Sequence, residues 1–539
     1  MILSKINDAI FNAAVSLGYD GEKESFISFS EHGDCSSNIA FILAKKIRKS
    51  PSDAAAAVKE LIESFEGIKS IEIAKGGFVN IFIDEKTFAT EMKEILNNKN
   101  YGKIESNGIK VNLEFLSANP TGPLVLVNAR AAIIGNTLAD IMRFNGYDVT
   151  TETYINDCGS QIENLGKSVL FHIDSKKDAE FPENGYKGEY IKKIAEKLAA
   201  KNEISENTTD RIAKASSFAM KYILDWQKSS LERFKIQFDN WVYESNIRKA
   251  GKIESVVELF KEKNLIYEKE NAVFLKTTAY SDDKDRVIYK SNGEMTYLLP
   301  DIAYHAYKLE RNFKYLIDIL GPDHHGYIGR IKSAVSAMDK ETKFDIIIAQ
   351  IVTLLKNGQK YEMSKRTGEF ITMDEIADEL DSDVMKFLIL MRKISQPFNF
   401  DIEKAKEESM ENPVFYVQYA HARICSVFSK AEGMDVNDIS GKVKKISNPA
   451  LKPLTVKLLE FPYAVYSSYS NFEIQKLPTY LYELAGIFHK FYHDNRVISE
   501  DIEDMQEKLI VLGAVRETIK RGLRIMGINS KERMEKDEL

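Results

Sequence analysis

Between Lys110 and Tyr154 the hydrophobic period of the chain switches twice, and that switch constrains the fold more than any other feature. VNLEF reads as a short strand and SANPTGP as a turn. The segment from about Val127 to Phe144 reads as an amphipathic helix stopped at Gly146, and DVTTETY as a second strand. A strand that returns through a helix to a neighbouring strand makes a parallel pair with a right-handed crossover. Sheets of such units bind ligands in the crevice beyond the carboxyl ends of their strands. The pattern resumes downstream, where KYLIDIL leads into GPDHHGY and a helix, and FDIIIAQ into a turn at Lys356-Asn357-Gly358. Residues 175–235 are charged, helical and weakly patterned, which predicts an insertion in a doubly wound domain.

A chain of 539 residues has room for three to four domains at about 150 residues each. Residues 1–100 predict a small α/β unit, with helices near 3–17, 36–48 and 52–66 and strands IKSIEIAK and GGFVNIFI joined at Gly76-Gly77. The polar stretch NNKNYGKIESNG reads as a linker. Past about residue 400 only helical runs follow, such as NPVFYVQYAHARICSVFSKAE and EKLIVLGAVRETIKRGLRIMG. The expected architecture is therefore α/β multidomain: 1–100, a doubly wound 101–395, and an all-α 396–539.

Composition excludes several classes. Apolar residues at 44% and charged residues at 29% are those of an ordinary globular protein, not a disordered or collagen-like one. Cys35, Cys158 and Cys425 lie more than a hundred residues apart and match no zinc or disulfide spacing, so reduced thiols in the cytoplasm are expected. Lys5 and Asp8 interrupt what would be the apolar core of a signal peptide, and no run of about 18 apolar residues predicts a membrane span. The last four residues, Lys536-Asp537-Glu538-Leu539, match a retrieval signal that has no meaning outside the secretory pathway and read as a charged tail. A net charge of −7 does not exclude nucleic acid, because binding depends on a local basic patch.

Five constellations carry candidate chemistry. In Glu114-Phe115-Leu116-Ser117-Ala118-Asn119-Pro120-Thr121-Gly122-Pro123, a carboxylate, a hydroxyl and an amide at a strand end suit the ammonium and carboxylate of an amino acid. Gly122 and Pro123 there shape the approach to a helix N-terminus fit for phosphate, although the stretch is also simply a good turn. Tyr297 and Asp301 follow a hairpin marked by Asn292-Gly293, with Pro300 favouring the first helical turn. Asp301 suits a cationic side chain, bidentately for a guanidinium, and equally suits the helix dipole. Asp323 and His324, in Gly321-Pro322-Asp323-His324-His325-Gly326-Tyr327, suit polar contacts to substrate or nucleotide. No metal is expected there, since adjacent histidines rarely both reach one ion. Met363-Ser364-Lys365-Arg366-Thr367-Gly368 precedes a capping box at Thr372 and Glu375, and its cations suit a pyrophosphate leaving group. On the last long helix Arg516, Lys520 and Arg524, with Arg521 beside them, form a basic stripe that could track a phosphate backbone or be a solvated face.

Taken in order, these motifs resemble the class I aminoacyl-tRNA synthetases, and specifically the arginyl-tRNA synthetase family. The resemblance also covers GDCSSNIAFILAKKI, GGFVNIFI, NPVFYVQYAHARI, FHKFYHDNRVI and a terminal ERM. It implies an additional N-terminal tRNA-binding domain, a Rossmann-type catalytic domain and a helical anticodon-binding domain. The implied activity is ATP-dependent: arginine is activated to arginyl-adenylate and then transferred to the 3′ end of tRNA(Arg). Glu114, Ser117 and Asn119 would contact arginine, with Tyr297 and Asp301 at its guanidinium and Gln161, in YINDCGSQI, lining the pocket. Lys365, Ser364 and Asn128 would be catalytic. Gly122, Asn128, Asp323, His324, Met363 and Lys365 would meet ATP, and Tyr419, Arg516, Lys520 and Arg524 would meet tRNA. ATP would come with Mg²⁺, with no tightly bound protein metal, in a cytoplasmic monomer.

Two departures stand out. Glu362 replaces the first lysine of the second signature, as in some members. The first signature, His-x-Gly-His, is replaced by Val125-Leu126-Val127-Asn128. Asparagine still donates a hydrogen bond whereas valine cannot, and a lost transition-state donor costs roughly 2.7 to 4 kcal/mol unless another group substitutes. A weakened paralogue that binds tRNA or arginine as a regulator is therefore a competing expectation. A small-molecule nucleotidyltransferase is a third, which leaves the helical C-terminal domain without a use.

Overall fold

A computed structural model describes residues 1–29, 32–174, 180–201, 208–360, 371–431 and 436–534. The N-terminal unit runs α1 (Ile2–Ser16), β1 (Ile27–Ser28), β2 (Cys35–Ser37), α2 (Ile39–Ile47), α3 (Pro51–Ile62), β3 (Ile68–Ile73), β4 (Val79–Ile83) and α4 (Glu85–Asn97). Its strands make an antiparallel sheet of order β1-β2-β4-β3. Residues 36 and 37 are not the helix start that periodicity predicts; they are paired with β4, Ser36 opposite Asn80. Tertiary pairing overrides the helical pattern there: the Ser36 hydroxyl donates to Asn80 Oδ1 at 2.8 Å, and Asp34 accepts the Ile83 N–H at 2.7 Å. Helix α4, absent from the sequence reading, is capped by Asp84, whose side chain accepts from the Thr87 N–H.

The central domain opens with β5 (Lys110–Glu114), α5 (Leu126–Phe144) and β6 (Asp148–Ile155), the βαβ unit as expected. Then come α6 (Ser160–Ile173), α7 (Glu189–Ala199), α8 (Thr208–Arg233), β7 (Asn240–Tyr243), α9 (Glu244–Lys249) and α10 (Lys252–Glu262). A small antiparallel sheet of β8 (Ile266–Lys269), β9 (Ala272–Leu275) and β10 (Arg286–Tyr289) precedes α11 (Leu298–Glu310), β11 (Tyr315–Leu320), α12 (Ile328–Met338) and β12 (Lys343–Ile348). The main sheet is parallel throughout, in the order β12-β11-β5-β6-β7. The chain leaves β5 toward β7 on one side and returns through β11 on the other, so the switch point lies between β5 and β11. Gly135 lets α5 lie close on this sheet, since a Cβ there would fall 2.1 Å from the Phe115 ring.

Helices α6 to α8 share a core of their own around Leu165, Val169, Ile194 and Ala219. They also fasten the turn after β5. Tyr190 donates to the Thr121 carbonyl at 2.9 Å, and Gln227 Nε2 to the Gly122 carbonyl at 2.8 Å.

Beyond β12 the chain forms β13 (Val352–Lys356), β14 (Gln359–Lys360), α13 (Met373–Glu379), α14 (Ser382–Leu390) and β15 (Phe398–Asp401), with β15 parallel to β13. Asn357 and Gly358 take φ of 54° and 76° in the β13–β14 turn, as an Asn-Gly hairpin requires. After the short α15 (Ile402–Lys406) the rest is helical: α16 (Pro413–Lys430), α17 (Val436–Lys442), α18 (Lys452–Leu459), α19 (Phe461–Ser470), α20 (Lys476–Asp494) and α21 (Ile502–Ile525). Among the described residues no helix is long and apolar enough to cross a membrane.

Arg521, which sits beside the basic stripe in sequence, turns inward. Its guanidinium is buried and donates to the carbonyls of Ile95 and Asn98 at the end of α4, at 3.3 and 3.0 Å. It joins the N-terminal unit to α21 and does not face an outside phosphate.

Candidate active site

A cleft of about 590 Å³ opens at the switch point, beyond the carboxyl ends of β5, β6 and β11. Glu114, Ser117, Asn119, Asn128, Gln161, Tyr297, Asp301, Asp323 and His324 all line it, so residues spread over 211 positions of sequence share one wall-to-wall site. Gly122 is not among the lining residues, and its carbonyl is taken by Gln227. Met363, Ser364 and Lys365, like the Lys536–Leu539 tail, lie outside the described residues.

The floor is set by strand register. Asp318 on β11, Glu114 on β5 and Glu152 on β6 are register partners, which places three carboxylates in a row across adjacent strands. Helix α11 covers that row with its counter-charges. Lys308 Nζ donates to Glu114 Oε2 at 2.6 Å and to Asp318 Oδ1 at 2.8 Å, and Arg311 Nη2 to Glu152 Oε2 at 2.9 Å. Burial alone pushes the Asp318 carboxyl up, but Lys308 and His305 outweigh it and hold it down at about 2. Burial pushes Glu114 up, against the pull of Lys308. Burial and Lys308 press the His305 imidazole down, yet Asp318 and Asp301 prevail and hold it at about 10.

The chain then turns sharply. Leu116 takes φ of 73°, a left-handed conformation that costs a branched residue of order 1–3 kcal/mol, and this brings Ser117 back over the strand end. Ser117 donates to Glu114 Oε1 at 2.6 Å and its oxygen accepts the Tyr154 N–H at 3.2 Å, linking the ends of β5 and β6.

Among the described residues the N-cap of α5 gives the helix no side-chain hydrogen bond, which leaves first-turn N–H groups at the cleft available to an anion. Asn128 Oδ1 accepts the Val125 N–H at 3.0 Å, which leaves its NH₂ as the donor offered to the cleft. Valine has no acceptor, so the reciprocal half of a capping box does not form. Val125 is buried, whereas Val127 faces the cleft. Val125 also bridges to Thr372, and Leu124 accepts the Met373 N–H at 2.7 Å, so the start of α13 is tied to the start of α5.

At the far wall Tyr297 and Tyr327 meet edge to face at 6.5 Å beside Asp301. The Tyr154 and Tyr327 hydroxyls are buried beside Glu244 and Asp301, and among the described residues the buried amide oxygen of Asn156 has no hydrogen-bond partner, which marks this end as suited to a polar ligand. Glu244 is paired with Arg248, whose Nε donates at 2.8 Å. Of the cleft carboxylates, Arg248 offsets Glu244, and Lys308 and His305 offset two of Glu114, Asp318 and Asp301, so with Asp323 the wall keeps a net negative charge suited to a cationic ligand.

Sequence reading missed Asp318, Glu244, Arg248, Tyr327, His305 and Lys308. A signal for the last two was present: Asp301, His305 and Lys308 stand at i, i+4 and i+7 on one face of α11. Among the described residues no group of three or more histidine, cysteine, aspartate or glutamate side chains forms a metal cluster.

A parallel switch-point cleft, an open helix N-terminus and a following all-helical domain define a class I aminoacyl-tRNA synthetase. Family models agree region by region: "Arginyl tRNA synthetase N terminal domain" over residues 2–83, "tRNA synthetases class I (R), catalytic domain" over 91–411, and "DALR anticodon binding domain" over 417–534. The arginine–tRNA ligase of Citrifermentans bemidjiense is 40% identical over 517 residues, covering 94% of this chain and 93% of that protein. That of Aquifex aeolicus is 36% identical, covering 93% and 94%. The arginyl-tRNA synthetase structure from Thermus thermophilus superposes with a TM-score of 0.79 at 19% identity, covering 99% of this chain and all of that one. The chain belongs to the arginyl-tRNA synthetase family. It is an ATP-dependent ligase of arginine and tRNA, as the motif order implied.

Proposed function

We propose that the switch-point cleft carries out both steps of this ligation. The arginine guanidinium is held at Asp301 between Tyr297 and Tyr327, and its ammonium and carboxylate at Glu114, Ser117 and Asn119, with Gln161 at the edge. ATP lies along the open N-terminus of α5, its phosphates near the Asn128 amide, with Asp323 and His324 at the rim. The arginine carboxylate attacks the α-phosphorus in line. Pyrophosphate leaves, and a terminal ribose hydroxyl of tRNA(Arg) then displaces AMP from the acyl carbon. Positioning and charge stabilisation supply most of the acceleration.

Met363, Ser364 and Lys365 are assigned to the departing pyrophosphate by resemblance to the second signature. Mg²⁺ is assigned to the ATP phosphates as their counter-ion, and Asp323, with a side chain 81% exposed, is the acidic group at the rim. Tyr419, Arg516, Lys520 and Arg524 are assigned to tRNA, with the unit of residues 1–100 as a further tRNA contact. Tyr419 stacks on His489 at 5.7 Å, and Lys520 and Arg524 are exposed, which supports a surface for bases and phosphates. A cytoplasmic monomer completes the reading, to be checked by cell fractionation and sedimentation.

The observation that carries the reading is the acidic wall around Asp301, enclosed by two tyrosines and facing an open helix N-terminus. The test is charging of total tRNA with each of the twenty amino acids, ATP and Mg²⁺, with Lys365→Ala as control. Arginine alone incorporated, and lost in the control, is the expected result. Tight tRNA binding without charging would favour the regulatory reading that the missing histidines raised.

A further inference from the structure

Resting on the reading that Asp301 takes the guanidinium, we propose that His305 and Lys308 are positioning residues that set the charge of the arginine pocket and hold the Asp301 carboxylate in place. Neither can touch a ligand: the Lys308 side chain is 0% exposed and that of His305 is 1%.

Hydrogen-bond geometry points to the protonation of the cluster. Glu114 accepts from Ser117 on Oε1 and from Lys308 on Oε2, so both oxygens face donors, which favours the ionised form and leaves further lone pairs for a ligand. Asp318 likewise meets a cation at each oxygen, Lys308 on Oδ1 and His305 on Oδ2 at 2.9 Å, which favours its ionised form. His305 Nδ1 lies 2.9 Å from the Asp301 carbonyl and 3.2 Å from Asp301 Oδ1, and both partners only accept. With oxygen acceptors at both ring nitrogens, His305 carries a proton on each and is an imidazolium.

Three carboxylates against two cations leave one negative charge, and the geometry locates it. Glu114 and Asp318 each face a cation at hydrogen-bond distance and their side chains are 9% and 4% exposed; Asp301 meets the His305 edge from behind and is 28% exposed toward the cleft. The cluster therefore presents a single unmatched carboxylate to the cleft, anchored from behind by an imidazolium. A guanidinium completes the charge balance, whereas a neutral isostere leaves it open. Without His305 the Asp301 side chain loses its anchor and the cluster gains a negative charge in the interior. Discrimination between cationic and neutral side chains should then fall, with no direct effect on the nucleotide.

The experiment measures pyrophosphate exchange by the full chain with ATP, Mg²⁺ and tRNA, varying arginine and ATP separately, with citrulline as the neutral competitor. His305→Gln is expected to raise the KM for arginine 10- to 100-fold, with kcat and the KM for ATP within about twofold of the parent. The ratio of citrulline Ki to arginine KM should fall at least tenfold. Lys308→Met, with circular dichroism to confirm folding, should shift arginine KM in the same direction. A folded His305→Gln with the parent's arginine KM and citrulline ratio overturns the proposal, as does a fall in kcat with an equal change in both KM values. Asp301→Asn separates the two ideas. Unchanged arginine KM in that variant refutes the guanidinium assignment, while a large rise there beside an unaffected His305→Gln refutes only the positioning role.

Discussion

Asn128 closes the first turn of α5 by accepting the Val125 N–H through Oδ1 at 3.0 Å, so one side chain holds the helix start and lines the cleft. Two variants separate these duties. Asn128→Ala should lose about 1 kcal/mol of stability and slow adenylate formation about a hundredfold. Asn128→Asp keeps the acceptor and loses the donor, so stability should recover and the rate should not. Urea unfolding and pyrophosphate exchange read the two effects, and a parent-like rate in the aspartate variant would remove the donor from the mechanism.

Val127, in the first turn of α5, faces the cleft at 38% exposure. Val127→Gly should cost roughly 0.5–1 kcal/mol of helix stability and lower the KM for ATP severalfold by opening space for the nucleotide. A KM for ATP that stays put or rises would show that valine does not obstruct the site.

Arg130, fully buried, ties α5 to two loops. Its guanidinium donates to the carbonyls of Gln350, Ile351, Lys393, Ile394 and Gln396 at 2.9 to 3.4 Å. Arg130→Met fills the volume and leaves those carbonyls unpaired. The loss should reach about 3 kcal/mol, since each orphaned buried group costs roughly 1–3 kcal/mol. A denaturation midpoint matching the parent would show that water replaces the guanidinium without penalty.

The charge cluster predicts how stability varies with pH. Asp318, held at about 2, adds stability that is complete above its ordinary value of 3.8 and lost as pH falls through about 2. His305 faces Asp318, Asp301 and Lys308, with Phe344 and Tyr304 against its ring. Held at about 10, its contribution is complete below 6.5 and lost as pH rises through about 10. His305→Gln should flatten the alkaline decline in unfolding free energy between pH 7 and 10 and move the acid limb to higher pH, since Asp318 loses one of the two cations that hold it down; an unaltered alkaline limb would assign it to other groups.

For tRNA, Lys520→Glu with Arg524→Glu should weaken binding by at least tenfold and reduce the slope of log K against log salt by about two, one per phosphate contact. Arg521→Met is the contrast, expected to loosen the joint between α4 and α21 and show first as lost stability. Filter binding across a salt series decides the first, and a slope equal to the parent's would place the phosphate path elsewhere.

Much of this protein was legible without coordinates. Short-range pattern gave the βαβ unit, the helical C-terminal region and the Asn357-Gly358 hairpin, because each depends on neighbours within a few residues. Motif order gave the family, since Glu114, Asp301 and the last helix carry independent signals. Strand β7 and the sheet of β8 to β10 were not legible, for strands of four residues contain too few periods to stand out. The start of α2 was misplaced because Ser36 and Ser37 are claimed by β4, 44 and 42 positions further along the chain.

By itself the sequence determined the order of elements, the family and the chemistry available in each motif. Only the tertiary structure decided which charges meet. Glu114, Asp318 and Glu152 face one another through parallel register, and Lys308, His305 and Arg311 reach them because α11 lies on that face. The same decision sent Arg521 inward and left Lys520 and Arg524 outside. A residue's type sets what it can bond. Its partners, and with them its protonation and role, depend on contacts between segments far apart in sequence, which no local pattern encodes.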